Sequence, residues 1–377
     1  MMALLALIPV AIWLYLLAGR GLFWVMAERD SANEPAEPSA WPSVVAVVPA
    51  RNEADVIARS IGSLLGQDYP GSFRIVLIDD QSSDGTADAA RKLGVAEKLD
   101  ILTGSARPSG WAGKVWAMKQ GTANAGEPDY LWFTDADIEH QPDNLRRLVA
   151  RAESGKLVLT SLMVKLHCKS WAEAYLIPAF VFFFAMLFPF GWVNNPNNKT
   201  AAAAGGCMLV KREALQRAGG VDVIKGEIID DCALGRALKA QGPIWLGLTE
   251  RASSIRPYNG MAEIRSMVAR NAYAQLGYSP LALLGTFIGM AAVYGAAPIL
   301  AILARDSAQA SGILAWAAMM LSFQPILKFY RVSPLWGLML PLIGFVYAMF
   351  TLDSAIQHWR GRGGMWKGRA QAMGQAR

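Results

Sequence analysis

The sequence is poor in the residue types that build disulfide frameworks and imidazole metal sites. Among 377 residues there are three cysteines and three histidines. Cys168, Cys207 and Cys232 show no CxxC spacing, so neither a disulfide framework nor a zinc site is indicated. The histidines show no HExxH spacing either. A chain with so few, scattered cysteines fits a reducing compartment.

Charged residues are also scarce. They make up 18% of the chain, against about 25% in typical proteins, while hydrophobic residues make up 53%. This shortfall indicates that part of the chain lies in lipid. The formal net charge is +6, and a visible basic cluster at residues 358–369 adjoins apolar segments. We therefore interpret the basic excess as contact with a membrane surface, and we predict no nucleic-acid partner.

The N-terminus carries a long apolar run. Residues 2–19 are uncharged and long enough to cross a bilayer, and Arg20 follows them. A cleavable signal peptide is the alternative, but such peptides open with basic residues and none precedes Arg20. We predict a transmembrane anchor over residues 1–27, followed by a polar, proline-containing linker.

The C-terminal part contains three more uncharged blocks, at residues 280–304, 307–327 and 332–352. We predict membrane helices over residues 280–353 and a basic tail over residues 354–377. With a cytosolic catalytic domain, three spans would place that tail outside, against the positive-inside rule. A re-entrant or interfacial block among the three would remove the conflict.

A fifth uncharged run, residues 174–198, lies in the middle of the chain. Pro178 and Pro189 argue against an uninterrupted helix there. The residues on both sides also belong to one predicted soluble domain. We therefore favour a segment that lies in the membrane interface, or re-enters it, over one that crosses the membrane.

Between the apolar ends, short β-branched runs alternate with helical patterns. This alternation predicts an α/β domain over residues 41–275, with a mostly parallel sheet and helices on both faces. Ligands of such sheets bind beyond the carboxyl ends of the strands. Polar residues follow the predicted strands at those ends: Arg51, Asn52, Glu53, Asp79, Asp80, Asp135 and Asp137.

The fourth predicted strand ends in the sequence TDAD, a DxD motif. Asp135 and Asp137 are two residues apart and share an orientation if the strand continues. A divalent cation would relieve their repulsion, and carboxylates suit Mg²⁺ or Mn²⁺. For an isolated DxD, two solvated acids in a loop are the favoured interpretation, and only the surrounding pattern favours a metal site. His140, just after the motif, is close enough in sequence to reach the metal, but we expect it to lie on the surface.

Two further features extend this pattern. Lys114 stands at the start of a predicted helix, where an ammonium and a helix N-terminus together favour phosphate. Asp230 and Asp231 stand just ahead of another helix. Each has a local alternative, since a lysine can be merely solvated and acids can cap a helix. Their order and their position beside the strand ends favour one common site.

These segments together carry a resemblance. The stretches PARNEA, DDQSSDGT, GKVWAMKQG, TDAD, AAAAGGCMLVKREAL and IIDD make residues 44–238 similar to the family 2 glycosyltransferases. The stretch FPFGWVNNPNNKT and the tail WRGRGGMWKGR resemble a membrane-bound branch of that family. This branch contains ceramide glucosyltransferases and glycosyltransferases associated with hopanoid biosynthesis. The resemblance implies a GT-A fold, a Rossmann-like domain that binds a nucleotide sugar, with membrane helices at both termini.

The resemblance also assigns the donor pocket. Asp79 or Asp80 would bind the uracil and ribose of a nucleotide-diphosphate sugar. Pro49, Arg51 and Glu53 would line that pocket.

The reaction centre is implied in the same way. Asp135 and Asp137 would hold the Mg²⁺ or Mn²⁺ that bridges the diphosphate. Asp231, with Asp230 beside it, would be the general base. The pair Gly205–Gly206 would help to form the acceptor site.

One departure from the family pattern concerns polymer synthesis. The membrane branch often carries a Gln-x-x-Arg-Trp motif, and here MVARN stands nearest to it. Arg270 matches, whereas Met267 and Asn271 replace the glutamine and the tryptophan. Arg270, with Lys114, could still stabilise the leaving diphosphate. The missing tryptophan favours a single sugar transfer over a processive synthase.

The combined expectation is a membrane-bound, inverting glycosyltransferase that moves a sugar from a UDP-sugar to a lipid, a hopanoid. Ceramide, diacylglycerol or another lipid is the alternative acceptor. A catalytically silent membrane scaffold is the alternative outside enzymes, and the intact Asp135, Asp137 and Asp231 argue against it. We expect a multi-pass protein of a bacterial inner membrane, with its catalytic domain facing the cytoplasm.

Overall fold

The computed structural model describes residues 6–95, 97–366 and 369–370. The first five residues of the predicted anchor, and residues 367, 368 and 371–377 of the predicted tail, lie outside these ranges. The described chain divides into two compact units. The helical unit comprises the residues up to Ala27, Cys168–Gly191 and Tyr258–Gly364, and the sheet unit comprises Glu28–His167, Trp192–Pro257 and the described residues after Gly364.

Eight strands form the main sheet of the described chain. They are β1 Val44–Ala50, β2 Phe73–Asp79, β3 Leu99–Thr103, β4 Tyr130–Thr134, β5 Ile138–His140, β6 Leu159–Lys165, β7 Cys207–Lys211 and β8 Ile244–Ser254. Their order across the sheet is β3-β2-β1-β4-β7-β6-β8-β5. A separate antiparallel pair joins β9 Met365–Trp366 and β10 Arg369–Ala370.

The helices follow in chain order. They are α1 Ile8–Leu14, α2 Ile57–Leu65, α3 Thr86–Arg91, α4 Gly113–Asn124, α5 Asn144–Ser154, α6 Trp171–Leu187, α7 Phe190–Asn194, α8 Arg212–Arg217, α9 Asp230–Lys239, α10 Met261–Gln275, α11 Pro280–Met290, α12 Ala296–Leu303, α13 Asp306–Tyr330 and α14 Leu340–Trp359. Short 3₁₀ or π turns cover Tyr15–Gly19, Phe23–Val25, Val221–Ile224, Ala291–Gly295 and Pro334–Met339.

The sheet is mixed, which corrects the expectation of a mostly parallel one. The four strands predicted from the sequence, β1 to β4, are confirmed and pair in parallel. Strand β7 then pairs antiparallel with both β4 and β6, and β5 pairs antiparallel with β8. The difference lies in the second half of the domain, where the sequence no longer alternates strand and helix at βαβ spacing.

The central strands are continuous apolar runs in the sequence because their residues are buried on both faces of the sheet. Every residue of β1 and of β4 is buried, as expected for strands covered on both faces. The covering helices are amphipathic. Helix α2 buries Ile57, Ile61 and Leu64, which recur at helical spacing and face the core.

The helical unit contains the three predicted C-terminal blocks as helices. Pro280–Leu303, Asp306–Tyr330 and Pro334–Trp359 have 24, 25 and 26 residues and mean hydropathies of 1.9, 1.5 and 1.9. Their length and composition are sufficient for crossing a membrane. At the other end, α1 has seven residues, continued by a π turn of five. The described residues therefore do not show the predicted N-terminal span, which needs about 20.

Helix α6 corrects the expectation that Pro178 interrupts the central apolar run. The helix is continuous over 17 residues with Pro178 inside it, whereas Pro189 does follow its end. A capping box at the start of the helix explains part of this tolerance. Ser170 Oγ accepts a hydrogen bond from the main-chain nitrogen of Glu173, and Glu173 Oε2 accepts one from the main-chain nitrogen of Ser170. Burial of residues such as Ile177 and Phe182 offsets the lost hydrogen bond.

Candidate functional site

Charged side chains gather at one edge of the sheet, beyond the carboxyl ends of β1, β2 and β4. The register of the parallel pair sets Ala50 beside Asp79, so Arg51 and Asp80 follow on adjacent strands. Asp135 comes directly after β4, which pairs with the other side of β1. The sequence-based placement of these residues at a single edge is therefore correct.

Asp79 and Asp80 are held firmly by the loops around them. Asp80 is 1% exposed, and its carboxylate Oδ2 lies 3.6 Å from Arg51 Nη1. The same guanidinium donates to the main-chain oxygen of Asp80. Asp79 Oδ1 accepts from the main-chain nitrogen of Ser82 at 3.1 Å. Arg51 thus ties the β1 loop to the β2 loop, and binding of a nucleoside there stays a prediction.

Lys114 lies in the first turn of α4 and faces acids from two other elements. Its Nζ is 2.8 Å from Asp135 Oδ1 and 3.2 Å from Asp230 Oδ2. Burial alone would lower the pKa of Lys114, but Asp135 and Asp230 outweigh burial and raise it. Lys114 is therefore a fixed positive charge that joins the DxD motif to the start of α9.

Asp231 sits next to this ion pair and is held by main-chain donors. Its Oδ2 accepts from Gly205 N at 2.9 Å, and its Oδ1 accepts from Cys232 N at 2.7 Å. Burial and the neighbouring Asp230 raise the pKa of Asp231 to about 6, while Lys114 opposes the shift. A carboxylate with this pKa is ionised at neutral pH yet basic enough to take a proton.

Gly205 has a steric reason to be glycine. A Cβ built there would lie 3.1 Å from Lys114 Nζ and 3.4 Å from Asp231 Oδ2. Its absence lets the loop approach both side chains closely. One small pocket is lined by four of the predicted site residues, Pro49, Lys114, Asp135 and Gly205. The rest of its lining is Met118, Phe133, Thr134 and Met208.

Arg256 is a charged residue of this edge that the sequence did not reveal. It follows the end of β8 and donates through Nη2 to Glu53 Oε2. Its Nη1 lies 3.3 Å from Asp55 Oδ2, and its Nε lies 3.5 Å from Asp137 Oδ2. Burial would lower the pKa of Arg256, but Glu53, Asp55 and Asp137 together raise it. Its position after a strand was the only signal that could have found it.

Both aspartates of the DxD motif therefore have a cationic partner within the chain. Lys114 faces Asp135 and Arg256 faces Asp137. This arrangement reduces the repulsion between the two carboxylates without a metal ion.

A divalent cation still fits the donor set. Among the described residues, no cluster of three or more histidine, cysteine, aspartate or glutamate side chains could hold a metal alone. Asp135 and Asp137 offer two carboxylates, and Mg²⁺ is commonly held by one or two carboxylates together with substrate phosphates. The residues present therefore fit a cation that binds along with a diphosphate.

His140 corrects an expectation, because it is buried and not on the surface. It is 3% exposed, and its Nε2 lies 2.9 Å from Thr134 Oγ1. Thr134 donates to the Gly206 oxygen at 2.9 Å, so His140 Nε2 is the donor to Thr134. Asn144 Nδ2 completes the network by donating to His140 Nδ1. Burial lowers the pKa of His140 to about 3, so the ring is neutral.

The network beneath the motif has a positional consequence. Thr134 is the last residue of β4, directly before Asp135, and Gly206 belongs to the loop that precedes β7. A Cβ at Gly206 would meet Val164 Cγ2 at 2.9 Å, so this loop is closely packed. The hydrogen bond between Thr134 and Gly206 therefore fixes the predicted acceptor loop relative to the DxD motif.

One predicted donor-site residue lies elsewhere. Arg270 is on α10 in the helical unit, whereas the other predicted site residues belong to the sheet unit. Its role towards the leaving diphosphate stays a prediction.

Comparison with known proteins agrees with this geometry. The sequence model of the family described as "Glycosyl transferase family 2" matches residues 45–219. That segment contains β1 to β7 and the DxD motif. Residues 45–219 are therefore similar to a glycosyl transferase family 2 domain.

Curated relatives align over short stretches. The chain is 35% identical over 99 residues to a 4,4'-diaponeurosporenoate glycosyltransferase of Staphylococcus haemolyticus, covering 26% of this chain and 24% of the relative. It is 28% identical over 114 residues to the glycosyltransferase AglE of Haloferax volcanii, covering 30% and 36%. The alignments thus span between a quarter and about a third of the length of these relatives.

A solved structure is similar over nearly the whole chain. It is the mannosyltransferase PcManGT of Pyrobaculum calidifontis, in complex with GDP-Man and Mn²⁺. The TM-score is 0.57 at 19% identity, and the match covers 96% of this chain and 100% of that one. At this identity the likeness supports the fold, and it confirms the predicted GT-A-like α/β architecture.

Proposed function

We propose that this protein is an inverting glycosyltransferase that moves one sugar from a nucleotide-diphosphate sugar, a UDP-sugar, to a lipid in the membrane. The observation that carries the proposal is Lys114, which lies within 3.2 Å of both Asp135 and Asp230. It joins the predicted diphosphate end of the site to Asp230, the neighbour of the predicted base Asp231. This place lies in a domain of the glycosyltransferase family.

The donor would bind along the edge formed by β1, β2 and β4. Asp79 and Asp80, with Pro49, Arg51 and Glu53 beside them, would take the nucleoside. The buried Arg51–Asp80 pair preorganises that end of the site, because it fixes two loops before the ligand arrives.

The diphosphate would lie between Asp135, Asp137 and Lys114. When bound there, Mg²⁺ or Mn²⁺ would neutralise charge on the leaving diphosphate. Lys114 adds a fixed positive charge in a buried setting, where such a charge stabilises a developing anion more than in water. Arg270 is a further candidate for this role.

Asp231 would remove the proton of the acceptor hydroxyl. Its carboxylate is held by Gly205 N and Cys232 N, so its position does not depend on the substrate. Direct attack by the hydroxyl with one base breaks the sugar–phosphate bond from the opposite face and inverts the anomeric carbon. The glycine pair Gly205–Gly206 would help to form the acceptor site, because Gly205 lies directly against this base.

The lipid acceptor is supported by the apolar helices. Three of them, within the described chain, are long and apolar enough to cross a membrane. A hydrophobic acceptor is met most readily at the membrane surface, and a hopanoid is the acceptor that the finer sequence resemblance favours. Ceramide and diacylglycerol remain the alternatives. We place the catalytic domain on the cytoplasmic side of a bacterial inner membrane, where nucleotide sugars are made.

A transfer assay tests the proposal. Membranes containing the full chain would receive radiolabelled UDP-sugars with Mn²⁺, Mg²⁺ or a chelator, and extracted lipids would be counted. We expect metal-dependent label in the lipid fraction. Asp231→Asn should lower transfer by about 10²–10⁴-fold, the contribution of a general base, and should preserve UDP binding.

Asp100→Asn is the matched control, because Asp100 is exposed and pairs with Arg74 at 2.6 Å, on β3. It should transfer like the wild type. Absence of both lipid transfer and donor hydrolysis with every sugar would contradict the proposal. Loss of UDP binding in a folded Asp231→Asn protein would show that the residue belongs to the donor pocket.

A further inference from the structure

Arg256 contacts acids from both parts of the proposed donor site, the nucleoside pocket and the metal site. Glu53 follows β1 in the predicted nucleoside pocket, and Asp137 belongs to the predicted metal site after β4. The guanidinium donates to Glu53 Oε2 and lies 3.3 Å from Asp55 and 3.5 Å from Asp137. One cation therefore touches both subsites.

The contacts on the two sides are unequal. The Glu53 side chain is 10% exposed and makes a direct hydrogen bond to Nη2. On the other side, Nε is buried and, among the described residues, has no hydrogen-bond partner, although Asp137 Oδ2 lies at ion-pair distance. Arg256 is thus hydrogen-bonded to Glu53, whereas its interaction with Asp137 is the longer and weaker ion pair.

The charge of Arg256 affects any cation that Asp137 would bind. A guanidinium stays charged at every accessible pH. A neighbouring positive charge stabilises the carboxylate and repels a second cation, so Asp137 is a weaker metal ligand than an isolated aspartate. A bound diphosphate brings negative charge of its own and offsets that repulsion.

We propose that Arg256 is a counter-ion that holds Asp137 before the donor binds, so that the DxD motif takes up a divalent cation well only together with a nucleotide diphosphate. This inference rests on the proposed function, since it uses the metal-binding role of Asp137. When Asp137 turns to the cation, Glu53 and Asp55 still neutralise Arg256. The residue acts by positioning and by charge, and it also links occupancy of the nucleoside pocket to the metal site.

Mn²⁺ binding tests the inference without any measurement of transfer. Free Mn²⁺ would be titrated by electron paramagnetic resonance against the full chain in detergent, with and without UDP. Arg256→Gln should bind Mn²⁺ about tenfold more tightly than the wild type without UDP, the low end of what one adjacent charge does to a carboxylate. Added UDP should then raise the Mn²⁺ affinity of this variant less than that of the wild type.

Arg251→Gln is the matched control. Arg251 lies on β8 and pairs with Asp30 and Asp143 at 3.2 and 3.0 Å, away from the motif. Its Mn²⁺ affinity should equal that of the wild type. Arg256→Met keeps the apolar stem of the side chain without its charge and gives the same test if the glutamine variant fails to fold.

Different results would overturn the role of Arg256 and the proposed metal site. If the wild type binds Mn²⁺ with UDP, but the uncharged variants bind Mn²⁺ no more tightly than the wild type without UDP, the role of Arg256 is overturned and the metal site stands. If the wild type binds no Mn²⁺ even with UDP, the metal site of the proposed function is contradicted, and the inference is overturned with it.

Discussion

Asp231 owes its proposed chemistry to its surroundings more than to its type. An aspartate has an ordinary pKa of 3.8, and here burial and Asp230 raise that pKa to about 6. Lys114 works against the shift. Asp230 and Lys114 therefore affect the pH at which the base can act, whereas the main-chain nitrogens of Gly205 and Cys232 hold its position.

The raised pKa of Asp231 predicts an acid limb in the activity. The carboxylate is protonated below its pKa and cannot accept the acceptor's proton, so kcat/KM should fall about tenfold per pH unit below about pH 6. A pH profile of transfer with saturating Mn²⁺ would measure this. Lys114→Gln, which removes the opposing cation, should move the limb to higher pH.

An acid limb near pH 4, where ordinary carboxylates titrate, would contradict this environment for Asp231. A pH profile that is the same in Lys114→Gln as in the wild type would contradict the assignment of Asp231 as the base. Protein stability over the same pH range should be followed by circular dichroism, so that unfolding is not taken for titration.

Individual residues also show what a sequence does and does not disclose. Asp135 and Asp137 could be found because a DxD at a strand end is a local pattern. Arg256 could not, because its partners come from strands more than a hundred residues away in the chain and only folding joins them. The expectation that His140 lies on the surface is wrong, because the alternating burial of β5 places it inside.

At the scale of elements, α4 positions Lys114 by close packing on the sheet. Gly121 is the contact point: an added Cβ would lie 2.4 Å from Val47 Cγ1 on β1 and 3.1 Å from Ile78 Cγ1 on β2. Interiors as dense as this one do not absorb an extra methyl group without displacement. The helix therefore cannot keep its present distance from the sheet if Gly121 acquires a side chain.

We expect Gly121→Ala to destabilise the protein by about 1–3 kcal/mol, the usual effect of overpacking. Alanine's better helix propensity, about 1 kcal/mol, opposes but does not cancel it. Gly62→Ala on α2 is the control, because no described atom beyond its chain neighbours and its own helix backbone lies within 4 Å of the added Cβ. That change should be neutral or stabilising, by up to about 1 kcal/mol.

Denaturant unfolding followed by tryptophan fluorescence would compare the two alanine variants with the wild type. Equal stability of Gly121→Ala and Gly62→Ala would contradict the close packing of α4 on β1 and β2.

The elements differ in how well the sequence predicted them. Strands β1 to β4 were predictable because each is an apolar run that ends in polar residues, at βαβ spacing. The antiparallel placement of β5 and β7 was not, because it depends on partners distant in sequence. In α6, Pro178 by itself predicts a helix break, but capping and burial compensate for it.

For the whole molecule, composition and hydropathy are enough to indicate membrane helices. A charged fraction of 18% and three uncharged blocks correspond to three helices of 24 to 26 residues. None of the three is shorter than a span requires, so length does not single out a re-entrant block. The N-terminal anchor was predicted from hydropathy alone, whereas the described helix there, Ile8–Gly19, is shorter than a span.

We propose that Asp135 and Asp137 would hold a divalent cation together with a nucleotide diphosphate. Calorimetric titration of the full chain with UDP, in Mn²⁺ and in chelator, tests it most directly. We predict that Mn²⁺ tightens UDP binding by at least about tenfold, within the usual range of coupling between two ligands, and that Asp137→Asn removes this gain. A UDP affinity that is the same with Mn²⁺ and with chelator would contradict the claim.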